Sequence, residues 1–166
     1  MLIEVTGDGW LRVGARQFRA ALGRGGISGA KREGDGVTPA GIFPLRQVLY
    51  RPDRMARPPT ALAALPLVPS DGWCDNPADP AHYNRPVTLP HPARAERLWR
   101  DDGLYDLLVV IGYNDAPPVP GLGSAIFLHV SRPDYAPTEG CVALALPHLL
   151  QVLTLCGEAA TISIAP

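Results

Sequence analysis

The sequence predicts a β-rich α+β domain, and three observations carry that prediction. Short runs of alternating or continuous apolar residues recur along the chain, each bounded by glycine or proline, which is the pattern of strands and turns. One run, Tyr105 to Tyr113 (YDLLVVIGY), is apolar enough to be a central strand buried on both faces. Late in the chain Leu149, Leu150, Val152, Leu153 and Leu155 form the stripe of an amphipathic helix, with Pro147 suited to its first turn.

The elements follow in order. Residues 2 to 6 and 10 to 14 alternate around Gly7-Asp8-Gly9, a hairpin signature, and Arg16 to Leu22 can extend the meander as a third strand. Gly23 to Gly36 is crowded with glycine and charge and reads as a loop. It lacks the spacing and the strand-to-helix context of a phosphate-binding loop. Thr38-Pro39-Ala40-Gly41-Ile42-Phe43 is a turn that launches a strand running to about Tyr50. From Arg51 to Pro92 the chain is dense in proline and also holds Trp73, Cys74, His82 and Tyr83. Residues 51–104 are therefore expected to be a capping insertion, with Trp73 and Tyr83 facing a groove. Ala93 to Arg100 (ARAERLWR) predicts a short helix with Leu98 and Trp99 turned inward. After the central strand, Tyr113-Asn114 is expected on the groove floor. Ala125 to Leu128 predicts a strand that delivers His129, Val142 to Leu144 a brief strand, and Ala160 to Ala165 a last one.

At 166 residues the chain is one domain long and can bury a core without staples. A net charge of −1 with interspersed signs excludes a basic face for nucleic acid. Cys74, Cys141 and Cys156 form no CxxC pair, so neither a disulfide framework nor a structural zinc site is expected, and no cofactor is implied. No stretch reaches the roughly 18 apolar residues of a membrane span. The amino terminus shows no charged and apolar export signal.

His129 and Cys141 stand on two strand ends joined by a loop. A histidine within reach of a thiol can take its proton, and backbone N–H groups at Gly140 and Cys141 can face a developing oxyanion. The same residues also fit a plainer reading, a small buried cysteine and a structural histidine. Cys156 reads as core, and His82, His91 and His148 show no catalytic pattern, with His148 expected to be exposed.

The series Thr38-Pro39-x-Gly41-x-Phe43, an apolar strand ending in His129, then Thr138-x-Gly140-Cys141-Val142 resembles the YkuD-type L,D-transpeptidase domain. The resemblance covers nearly the whole chain. It implies a β-sandwich-like fold with a helix packed after the cysteine, and a Cys141 nucleophile acting on peptidoglycan stem peptides. It further implies His129 as base and acid, oriented by the Val130 carbonyl, with Gly140 and Cys141 as oxyanion donors. Thr138, Glu139, Tyr113, Asn114, Arg32, Trp73 and Tyr83 are then candidate substrate contacts. The acyl-enzyme is resolved by an amine, giving a crosslink, or by water, as in an L,D-carboxypeptidase or endopeptidase. Two positions depart from the family pattern, Glu139 in place of histidine and Ala143 in place of arginine. Arg32, Arg85 and Arg132 are candidates to supply the missing cation, and a degenerate peptide-binding domain is a further reading. The departures resemble a short proteobacterial branch, some members of which make 1,3-type crosslinks from L-alanine to meso-diaminopimelate. Such a substrate implies a periplasmic location and needs no nucleic acid, membrane or partner subunit.

Overall fold

A computed structural model describes residues 1–166. The expected hairpin forms from β1 (Leu2–Thr6) and β2 (Trp10–Val13), and β3 (Arg16–Arg19) continues the meander. Ile3, Val5, Leu11 and Val13 point inward while Glu4 and Arg12 point out, so alternation alone fixes the register. The glycine-rich loop is pinned by two short strands, β4 (Ile27–Ser28) and β5 (Thr38–Pro39). Next comes the long β6 (Gly41–Tyr50).

Strand β11 (Leu107–Ile111) is buried throughout and lies antiparallel between β6 and β12 (Phe127–Val130). Strand β13 (Val142–Leu144) runs parallel to β12, and α1 (Leu146–Leu155) and β14 (Thr161–Ala165) end the chain. Strand order in the main sheet is β13-β12-β11-β6-β14-β1-β2-β3, with β7 (Ala64–Pro66) paired to β6. The sheet curls on itself until its two ends meet. Ala21 and Ala143 exchange backbone hydrogen bonds of 2.8 and 2.9 Å, so neither outer strand is left as an open edge there. Helix α1 buries Leu149, Val152 and Leu153 against the inner face.

The segment 93–100 corrects the sequence expectation. It forms not a helix but β10 (Ala95–Arg97), antiparallel to β8 (Asp71–Cys74), which also pairs with β9 (Pro86–Thr88). Partners more than twenty residues away supply the hydrogen bonds that a two-turn helix would have made internally, and short helices are marginal without packing. The resulting small sheet covers the outer face of the main one. Leu67, Trp73, Leu98 and Tyr105 pack with Leu108, Val110 and Phe127 in a second core, while Leu107, Val109 and Leu128 face the first. The central strands are buried on both faces because this segment supplies the second cover. No helix is long and apolar enough to cross a membrane.

Candidate active site

Period-two alternation along β12 and β13 builds the site. Leu128, Val142 and Leu144 belong to the inner core, while Phe127 and Cys141 belong to the outer one. His129 lies opposite Ala143 in the parallel register, and Cys141 precedes Ala143 by two residues. His129 and Cys141 therefore share the outer face of adjacent strands, and both line one cavity of about 600 Å³.

The thiol is held at its base. Cys141 Sγ accepts the Phe127 N–H at 3.3 Å and donates to the Ala125 carbonyl at 3.3 Å. The imidazole is held as firmly, with Nδ1 2.8 Å from the Val130 carbonyl. That hydrogen bond assigns the proton to Nδ1 and leaves Nε2 as the proton acceptor. The Tyr105 ring stands edge-on to the imidazole at 5.2 Å, and the Tyr105 hydroxyl donates to Glu96. Thr138 braces the turn before the cysteine, its hydroxyl donating to the Cys141 carbonyl at 2.6 Å and accepting the Gly140 N–H at 3.1 Å.

Burial dominates the electrostatics. Desolvation pushes the Cys141 thiol up to about 12, reinforced by the Glu96 carboxylate and opposed by the Phe127 N–H, Lys31 and Arg100. Desolvation likewise pushes His129 down to about 4, against the support of the Val130 carbonyl. Both groups are thus neutral in the free protein. A preformed thiolate-imidazolium pair is not the resting state; the thiol proton is directed at the Ala125 carbonyl and Nε2 of the imidazole is left unprotonated. Glu96 is itself raised by burial, although the Tyr105 hydroxyl and Arg100 favour its charged form.

The other sequence-predicted residues divide. Thr138, Glu139 and Arg132 line the cavity, with Glu139 exposed and paired to Arg24 at 3.0 Å. Gly140 is buried, but its N–H is already taken by Thr138. Trp73 and Tyr83 do not face the groove. Trp73 is buried edge-on to Phe127 and donates to Asn84, and the Tyr83 hydroxyl donates to Glu33 while accepting the Gly123 N–H. Trp73 joins the second core and Tyr83 is fully buried, which places their apolar area more stably than a wet rim would. Tyr113 and Asn114 are not its floor either: the Tyr113 hydroxyl binds the Leu122 carbonyl, and the Asn114 side chain ties down residues 119 and 123. Arg32 and Arg85 are exposed and do not line the cavity. His148 is half-buried against Phe18 rather than exposed.

Sequence reasoning missed Lys31, Glu33, Glu96, Arg100 and Tyr105, all of which line the cavity or face it. It also missed Asn84, whose side chain accepts from Trp73 and the Ala125 N–H and donates to the Tyr113 and Asn114 carbonyls. An asparagine directly after a tyrosine in a proline-rich loop was the only local signal. One group offers metal-type donors: Cys74, Asp79 and His91 bring ligand atoms within 4.8 Å of one another. It lies on the insertion, outside the cavity, and a single oxygen, Asp79 Oδ2, is the common partner of His91 at 3.0 Å, His82 at 2.9 Å and Cys74 at 4.0 Å. Protons on three donors satisfy that carboxylate without an ion.

The model of the YkuD family, the L,D-transpeptidase catalytic domain, matches residues 4–164. The chain belongs to the YkuD family. Among solved structures this YkuD domain is similar to an L,D-transpeptidase from Mycobacterium smegmatis, at 14% identity and a TM-score of 0.44. The likeness covers 98% of this chain and 57% of that one, so the YkuD domain spans little more than half of its neighbour's length. No curated protein matches the chain.

Proposed function

We propose that the protein is a peptidoglycan L,D-transpeptidase that works through a Cys141 thioester. The observation that carries this is the convergence of Cys141 and His129 on one cavity, the imidazole held by Val130 so that its free nitrogen is a base. In the proposed reaction the Cys141 thiol gives its proton to His129 Nε2 as sulfur attacks an amide carbonyl of a donor stem peptide. The oxyanion collapses, and the departing amine takes the proton from His129. An acceptor amine then attacks the thioester, losing its proton to the same nitrogen, and a new amide bond forms as the thiol is restored.

Charged residues of both signs line the cavity: Glu33, Asp75 and Glu96 against Lys31, Arg94 and Arg100. Such a lining suits peptides carrying both carboxylate and ammonium groups. At position 143 an alanine faces the cavity, and Glu139 stands at its rim. Those two departures favour the 1,3-type product, L-alanine joined to meso-diaminopimelate, with action in the periplasm where such peptides reside. The insertion is proposed to wall the groove through Asp75, Arg94, Glu96 and Arg100.

Mass spectrometry of the protein with purified muropeptides tests the reading. It should show a covalent adduct on Cys141 and crosslinked dimers, both absent in Cys141→Ala. Full crosslinking by that variant would overturn the proposal, and trimmed monomers without dimers would reassign it to hydrolysis. The raised thiol favours one rival, a domain that binds peptide without chemistry; an adduct on Cys141 decides against it.

A further inference from the structure

Lys31 is the only lysine in the sequence, and its side chain is only 4% exposed. Burying a lysine is costly without partners and without a task for its charge. Two glycines make the passage for it. A methyl carbon added at Gly123 would lie 2.7 Å from Lys31 Cε, and one added at Gly140 would lie 3.4 Å from Nζ. Both glycines also hold φ values that other residues rarely adopt, +112° and +135°. The stem thus runs past Gly123 and brings Nζ to the residue immediately before the nucleophile. Asp35 anchors the near side of the ammonium at 3.0 Å. Asp35 is itself buried against its charge, but the Arg32 and Val37 N–H groups and Lys31 outweigh that and hold its carboxyl below the usual range. The Arg32 carbonyl at 3.4 Å is a long second partner. An ammonium has three donors, and Lys31 lines the catalytic cavity with one of them uncommitted.

Backbone groups alone do not complete an oxyanion site here. The Gly140 N–H is spent on Thr138 at 3.1 Å, while the Cys141 N–H donates to no acceptor in the chain. We propose that Lys31 Nζ is the second oxyanion donor, binding with the Cys141 N–H the carbonyl oxygen of the acyl group that Cys141 attacks. As the C–S bond forms, the carbonyl π pair moves onto oxygen, and Lys31 meets that charge with a hydrogen bond while keeping its own proton. The thiol proton goes to His129 as before, so Lys31 is neither base nor nucleophile.

The inference rests on acylation of Cys141, and the test separates the two. Two rates are measured on wild type and Lys31→Met at one pH: acylation by p-nitrophenyl acetate, which develops an oxyanion, and alkylation by iodoacetamide, which does not. Because Lys31 also favours the thiolate, alkylation should fall as well, and acylation should fall about 100-fold or more beyond it. If the two rates fall by the same factor, Lys31 acts only on thiol ionisation and the proposal is wrong; it is equally wrong if neither changes. Should Lys31→Met fail to fold, Lys31→Leu, which likewise lacks a donor, carries the same pair of measurements. Absence of acylation in wild type would instead remove the Cys141 reading, whereas equal acylation of wild type and variant removes only the role of Lys31.

Discussion

Acidifying the protein from pH 7 to pH 4 is expected to remove about 3 kcal/mol of stability through His129 alone. Unfolded, the imidazole titrates near 6.5; folded, desolvation holds it at about 4. Between those values the unfolded chain binds a proton that the folded one refuses, so stability rises with pH across that window. The contribution is fully present above about 6.5 and is lost as pH falls to about 4. A difference of about 2.5 pH units at 1.36 kcal/mol each gives the figure. Urea denaturation of wild type and His129→Gln at pH 7, 6, 5 and 4 isolates it. The carboxylates held low by their partners, Asp35, Asp79 and Asp102 among them, titrate alike in both proteins and cancel in the comparison. The wild-type curve should fall by about 3 kcal/mol more than the variant's. Parallel curves would show that the imidazole is hydrated in the folded state, and the neutral-base mechanism would go with it.

Three further expectations follow from the same geometry. With its thiol pushed up to about 12, Cys141 of the free protein should react with iodoacetamide more slowly at pH 7 than free cysteine does. Its rate should still climb about tenfold per pH unit above pH 9, and a plateau below pH 8 would contradict the resting state described. Thr138→Val strips the acceptor from the Gly140 N–H and the donor from the Cys141 carbonyl, which should cost about 1–3 kcal/mol in urea denaturation; an unchanged midpoint would mean that water replaces the hydroxyl. Trp73→Ala should destabilise by about 3–5 kcal/mol, because the ring packs on Phe127 in the second core. A loss under about 1 kcal/mol, with altered substrate selection instead, would restore Trp73 to the groove.

What could be read from the sequence was whatever is local. Alternation placed β1, β2 and β14, the fully apolar run placed β11, and the leucine stripe placed α1. The Gly-Cys pair and its histidine were legible because the residues that put them on one face lie within the same short stretch. Where the partner was distant, the reading failed. ARAERLWR has a helix-like apolar spacing, but Ala95, Glu96 and Arg97 pair with Cys74, Trp73 and Gly72, and no local pattern announces that. Trp73 and Tyr83 looked like groove aromatics because a proline-rich segment looks like a lid, when its apolar residues are in fact core. Lys31 was hidden for the opposite reason. A lysine among glycines and charges reads as solvated, and only the fold reveals that Gly123 and Gly140 leave it a buried path.

The double burial of β11 and β12 links stability to chemistry. Phe127 and Cys141 pack in the same cluster as Trp73, Leu98 and Tyr105, so the segment that completes the core also lines the cavity. That wall excludes water from both the thiol and the imidazole, which raises one and lowers the other. The wall offers the thiol both Glu96, which opposes a thiolate, and Arg100, which favours it, and burial outweighs the two. The segment that carries β8, β9 and β10 is therefore part of the domain's core packing. Loosening it should admit water to Cys141, and stability and reactivity would change together.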